Sequence, residues 1–223
     1  MIFFDLDDTL LDHSGAQHRA ALAWREVVGA DVVPHSEANF PNVWQSATLR
    51  HWKRFERGEI SFAEQRRRRI REVLAQPDLA DDEADQYFAF YLPLYEAQWK
   101  LFPDVIPCLE LLRGQELGVL TNGDAAQQQR KLERLGLLDY FTVRVSLDEN
   151  GPRKPDPRAF ALAAKQAGVW AMECLYVGDH IENDALAARA AGWRGVWLDR
   201  TGLMRAPDGI ERITSLLDVP LLI

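Results

Sequence analysis

Cysteine is scarce in this chain: only Cys108 and Cys174 occur in 223 residues, well separated and without a CxxC pair. That excludes a disulfide framework and a cysteine-built zinc cluster, and it predicts a reducing compartment. Long apolar runs are lacking too, and none approaches the roughly 18 residues of a membrane-spanning helix. The first residues carry acids where a secretory leader carries lysine or arginine, so the expected location is the cytoplasm, with no membrane partner. Positive charge is in deficit, with 26 Lys and Arg against 34 Asp and Glu and a formal net charge of −8. A nucleic-acid polymer or an anionic membrane would need a dominant positive field, so neither is an expected partner. What the chain does have is 47% apolar residues, over a length that suits one large domain or a domain carrying a smaller one.

Several short apolar runs end in Gly, Asp, Thr or Asn: "IFF" at 2–4, "GVLT" at 118–121, "VRVSL" at 143–147, "CLYVGD" at 174–179 and "GVWLD" at 195–199. Such runs read as strands buried on both faces, hence parallel and wrapped by helices. Ala125 to Leu135 and Pro157 to Ala167 have helical spacing and stop near Gly136 and Gly168, as helices commonly do. The expected fold class is α/β, a doubly wound parallel sheet. One connection breaks the alternation, because residues 15–96 read as helix after helix. Ser14 with Gln17 and Ser61 with Glu64 have capping-box spacing, which predicts helix starts at both serines. Ala20, Trp24, Val27 and Val28 form one apolar stripe, and Phe62, Ile70, Val73 and Leu74 another. A further helix fits 82–92, with Pro93 ending or kinking it. An insertion of this length predicts a smaller all-helical domain rather than a loop.

In an open parallel sheet the ligand site lies outside the carboxyl ends of the strands. That rule selects Asp5, Asp7 and Thr9 after the first strand, Thr121, Asn122 and Gly123 at the second, and Gly178, Asp179, Asn183 and Asp184 at the fourth. Lys154, in "RKPDP" past the third strand, reaches the same rim. Several carboxylates at one site repel and would protonate or push apart without a positive group among them. A hard cation bound by oxygens fits, and Mg²⁺ typically uses one or two carboxylates with waters and a substrate phosphate. Lys154 adds a fixed positive charge. An aspartate so placed can attack phosphorus, and Asp5, nearest the buried strand, is the candidate nucleophile. Asp7, two residues on, is the candidate general acid and then base. Thr121 and Lys154 would meet the charge on the phosphoryl oxygens.

"DLDDT", "LTNG", "RKPDP" and "GDHIEND" resemble the four ordered motifs of the haloacid dehalogenase (HAD) superfamily, and the helical insertion resembles its C1-type cap. The resemblance runs from Asp5 to about Asp199. It implies a Rossmann-like core of residues 1–14 and 97–223, with a cap of residues 15–96. It implies that Asp5 is the nucleophile, Asp7 the acid and base, and that Thr121 and Lys154 hold the phosphoryl group, with Asn122 orienting substrate or phosphate. Mg²⁺ would be held by Asp5, Asp179 and the Asp7 backbone carbonyl, with Asp184 supporting the metal or Lys154. The activity implied is hydrolysis of a small phosphate ester, a sugar phosphate or a nucleoside monophosphate.

Within the superfamily, Asp7 speaks against a dehalogenase, since halide leaves without a proton. Phosphonatase-like members use a cap lysine, and the only lysine in 15–96 is Lys53, but Asp7 again fits an ester better than a phosphonate. Phosphomutases share all four motifs and stay open as an alternative. So, from another class, do receiver domains that are phosphorylated on aspartate, although the large insertion and the paired acids of "GDHIEND" fit them poorly. Arg50, Lys53, Arg54 and Arg57 share one helical face that could draw an anion, though charged faces are mostly just solvated. Trp24, Trp44, Trp52, Phe55, Phe88, Phe90 and Tyr91 read as the core of the helical domain. The run Arg66 to Arg69 circles its helix and His180 reads as a loop residue; neither is assigned a role.

Overall fold

The computed structural model describes residues 1–147 and 151–223. In chain order the elements are β1 (Ile2–Phe4), α1 (His13–Val28), α2 (Phe40–Glu56), α3 (Phe62–Val73), α4 (Asp81–Ala97), α5 (Val105–Leu111) and β2 (Leu117–Asn122). There follow α6 (Ala125–Arg134), β3 (Val143–Leu147), α7 (Pro157–Ala167), β4 (Leu175–Gly178), a wide helical turn at Ile181–Leu186 leading into α8 (Ala187–Ala190), β5 (Arg194–Leu198) and β6 (Glu211–Ile213). Two compact units result: Met1–Asp12 with Lys100–Ile223, and His13–Trp99. No helix among the described residues is long and apolar enough to cross a membrane.

In the first unit all strand pairings are parallel, in the order β3-β2-β1-β4-β5-β6. β1 and β4 are buried along their whole length because each has a strand on both edges and side chains packed on both faces. The chain runs outward from β1 to β2 and β3, then crosses back to β4 beside β1. This reversal is the kind of place where open sheets bind ligands. Beneath it, Phe3 and Phe160 pack around Trp193, with ring centroids 4.9 and 5.4 Å from the indole. Gly118 is required here, since a Cβ on it would overlap the Phe3 ring. The five expected strands are present. α5 and the short edge strand β6 carry too few patterned residues to be read from sequence.

The second unit is four helices around an aromatic core, in which Trp44 lies 5.2 Å from Trp24 and 4.3 Å from Tyr91 between ring centroids. Ser61 caps α3, accepting a hydrogen bond from Glu64 N–H at 3.1 Å. Ser14 does not cap α1. The helix begins at His13, with Ser14 inside its first turn, and the Asp12 N–H before it donates to the Lys100 carbonyl. Val27 is 62% exposed, and the buried stripe of α1 is Ala16, Ala20, Ala21 and Trp24. α4 does not stop at Pro93; it continues to Ala97, because the next turn stacks Tyr95 on Tyr91 (5.8 Å, 9°). Phe90, 56% exposed, is outside the core, since the buried face of α4 is Ala84, Phe88, Tyr91 and Tyr95. The basic face on α2 is largely paired: Arg50 with Glu72, and Arg54 and Arg57 with Glu59. In the arginine run, Arg67 pairs with Asp81 and Asp85 and Arg68 with Glu64, while Arg69 is buried against Gln65.

Candidate active site

Parallel register puts Phe4, the last residue of β1, opposite both Val119 and Val177, so β4 ends one residue beyond it at Gly178 while β2 runs on to Asn122. Asp5 therefore emerges between the neighbouring strands, its N–H donating to the Val177 carbonyl at 2.9 Å. Lys154 comes to it from the loop before α7. Its ammonium donates to Asp5 Oδ1 (2.8 Å), Asp184 Oδ1 (2.6 Å) and the Tyr176 hydroxyl (2.6 Å), and the residue is 4% exposed. Tyr176 in turn donates to the Leu120 carbonyl at 2.6 Å. Asn122 holds the Lys154 backbone from both sides, donating to its carbonyl at 2.9 Å and accepting from its N–H at 3.0 Å. Asp184, on the wide turn after β4, keeps its other oxygen on the His180 N–H at 2.9 Å. His180 caps that turn by accepting from the Asn183 N–H. Asp179 receives the Thr9 hydroxyl on Oδ1 at 3.2 Å and donates its own N–H to the same hydroxyl oxygen at 3.1 Å.

Asp5, Asp179 and Asp184 each place a carboxylate oxygen within 4.8 Å of the others. Burial, set against the Lys154 charge and reinforced by Asp184, pushes Asp5 up to about 7. Burial and the charges of Asp184 and Asp5 push Asp179 well above the usual carboxylate range. Burial works against the Lys154 charge, but Asp184 and Asp5 outweigh it and its pKa is raised. One ammonium thus faces three clustered acids, a charge balance that leaves room for a cation. An all-carboxylate oxygen set suits a hard divalent ion such as Mg²⁺ rather than a soft one.

The Asp7 carboxylate is held by α6 rather than by Lys154. Lys131 Nζ, from α6, donates to its two oxygens at 2.7 and 2.8 Å. Gln128 Nε2 reaches Asp7 Oδ2 (3.1 Å), Thr121 Oγ1 (3.0 Å) and the Asn122 carbonyl (3.0 Å). Asp8, next in the loop, takes a left-handed conformation (φ 58°) that Asp tolerates better than most residues. Sequence reasoning places Asp5, Asp7, Thr121, Asn122, Lys154, Asp179 and Asp184 at one edge, and the geometry puts them there in two linked groups. It misses Tyr176, Gln128 and Lys131. The last two had a signal: with Leu132 they occupy the buried face of α6, where polar side chains are out of place.

The fold and site define an α/β protein of the open, doubly wound type with an acidic, lysine-bridged centre at the carboxyl edge of its sheet. A model of the haloacid dehalogenase-like hydrolases matches residues 1–192, and the chain belongs to that family of hydrolases. It is similar to phosphoserine phosphatase of Thermus thermophilus, 32% identical over 226 residues that cover 90% of this chain and 88% of that protein. To glyceraldehyde 3-phosphate phosphatase of Methanopyrus kandleri it is 44% identical over 98 residues, 43% of this chain and less than half (42%) of that protein. The solved HAD-hydrolase YfnB from Bacillus subtilis, bound to magnesium, has the same fold, with a TM-score of 0.81 at 22% identity over 99% of this chain and 96% of that one.

Proposed function

We propose that the chain is a Mg²⁺-dependent phosphatase of small phosphate monoesters, working through an aspartyl phosphate on Asp5. The observation that carries the reading is the Lys154 ammonium bridging Asp5 and Asp184 where β1 and β4 end, with Asp179 completing the acid cluster. The two relatives named as phosphatases support it. Asp5 attacks phosphorus as the ester P–O bond breaks, and the leaving alkoxide takes a proton from Asp7. Water then attacks the phosphoaspartate and gives its proton to the Asp7 carboxylate, and the acyl phosphate P–O bond breaks to free Asp5 and inorganic phosphate. Lys154 and the Thr121 hydroxyl hold phosphoryl oxygens, while Asn122 fixes the Lys154 backbone. Asp5, Asp179 and the Asp7 backbone carbonyl would hold Mg²⁺, with Asp184 supporting it through Lys154. Bound there, the ion supplies positive charge toward the phosphoryl oxygens. The helical insertion, residues 15–96, serves as the cap that selects the ester, a sugar phosphate or a nucleoside monophosphate, in the cytoplasm.

The test is inorganic phosphate release from a panel of sugar phosphates, nucleoside monophosphates and an aryl phosphate, with Mg²⁺ or chelator. Metal-dependent release that Asp5→Asn lowers by at least about a thousandfold is expected, as for loss of a nucleophile. Undiminished release from Asp5→Asn removes the reading. Transfer to a second sugar hydroxyl instead of water indicates a mutase. A phosphoaspartate lasting many minutes without ester turnover indicates a receiver.

A further inference from the structure

Gln128 and Lys131 lie outside all four motifs, yet α6 aims both at the site. Asp124 caps that helix, and positions 128 and 131 follow on its buried face at i+4 and i+7. The burial of the ion pair is lopsided: the Lys131 side chain is 2% exposed, and that of Asp7 is 25% exposed. A lysine that only decorated a helix would run its ammonium out to water, as lysines usually do. Here the ammonium is sunk beneath a carboxylate that keeps its own access to solvent. The Lys131 contact to both oxygens sets the direction of the Asp7 side chain, and the Gln128 bond to Oδ2 alone sets the plane of its carboxylate.

Gln128 makes the arrangement a frame rather than a single contact. Its amide nitrogen joins Asp7 to the Thr121 hydroxyl and to the Asn122 carbonyl. Asn122 also grips the Lys154 backbone, so one chain of hydrogen bonds runs from the Asp7 carboxylate to the loop that delivers Lys154. The turn between β2 and α6 accommodates it. Gly123 sits at φ 140°, and a Cβ there would stand 3.0 Å from Gln128 Nε2.

We propose that Lys131 and Gln128 are positioning residues that act through Asp7, holding its carboxyl group where it hands a proton to the leaving oxygen of the ester. This rests on the phosphatase reading, in which Asp7 is the acid. Its signature is a dependence on the leaving group. An alkoxide needs the proton and a nitrophenolate does not, so misplacing Asp7 costs alkyl esters more than activated aryl esters. A residue that merely anchored α6 would cost all esters alike.

The experiment is kcat/KM, which reports the phosphorylation half-reaction, across aryl and alkyl phosphates of rising leaving-group basicity. It compares wild type, Asp7→Asn, Lys131→Met, Lys131→Arg and the double variant Asp7→Asn with Lys131→Met. Loss of a positioned acid is worth about 10² or more, so Lys131→Met is expected to lower alkyl ester turnover on the order of 10²-fold. The nitrophenyl ester should stay within about twofold, the scatter of independent sites. Lys131→Arg, whose guanidinium can also bind both oxygens, should recover most of the loss. The double variant should be no slower than Asp7→Asn alone. Equal loss on all esters, a further loss in the double variant, or faster turnover by Lys131→Met overturns the inference. A flat leaving-group dependence in Asp7→Asn overturns the acid role of Asp7 and this inference with it. A steep dependence there and a flat one in Lys131→Met overturns this inference alone. Should Lys131→Met fail to fold by thermal melting, Lys131→Gln and Gln128→Met carry the same series and the same outcomes.

Discussion

At the scale of single residues, Lys154 is the position on which most depends. Its buried ammonium answers Asp5 and Asp184 at once, and a buried ion pair that loses one partner leaves an uncompensated charge. Lys154→Met is therefore expected to cost about 3–5 kcal/mol in urea unfolding. Added Mg²⁺ should return part of that stability, since an ion that binds only the folded state stabilises it. Unchanged stability would mean that the acids are screened in some other way. Asp5 gives a second residue-level prediction, with a sign fixed by linkage. Its carboxyl is raised from 3.8 to about 7, so between those values the folded, metal-free protein holds a proton that the unfolded chain has released. Stability must then fall as pH rises through that window, the reverse of the usual salt-bridged carboxylate. Melting curves in chelator from pH 4 to 8 should show wild type losing stability relative to Asp5→Asn as pH rises, and parallel curves would refute the shift.

At the scale of elements, the site depends on where strands stop and what their last residues leave room for. Gly178 ends β4, and a Cβ on it would overlap the Asp184 carboxylate. Gly178→Ala should thus displace Asp184 from Lys154. Turnover is expected to fall by at least about tenfold, since small displacements in a positioned site are costly. Far-UV circular dichroism should stay unchanged, and full activity would show that Asp184 is not needed where it stands. In the helical unit, Pro93 lies on the exposed side of α4 and deprives the Ala89 carbonyl of its helical donor. Pro93→Ala is expected to raise the melting temperature, with a gain of up to about 3 kcal/mol, the interior proline penalty. A lower melting temperature would mean that the proline favours the folded helix at this position.

At the scale of the whole molecule, the two units differ in how much of them can be read from sequence. Strands buried on both faces leave continuous apolar runs ended by Gly, Asp or Asn, so the five principal strands and the residues at their tips were legible, as were the four motifs in order. Helix limits in the inserted unit were less so. Whether Pro93 ends α4 depends on Tyr95 finding Tyr91 to stack on, and whether Val27 or Phe90 is buried depends on which neighbours arrive. Ser14 had the right spacing for a cap, yet the helix already begins at His13 and Ser14 lies in its first turn. The sequence by itself determined the fold class, the edge of the sheet where polar residues gather, and Asp5, Asp7, Thr121, Lys154, Asp179 and Asp184 as candidates there, because strand burial and charge repulsion act on local pattern. Only the tertiary structure decided what those residues hold. Lys154 clasps Asp5 and Asp184 across 149 and 30 positions, and Lys131 meets Asp7 across 124. Pairings over such separations follow from how helices dock on the sheet, and no local period in the chain encodes them.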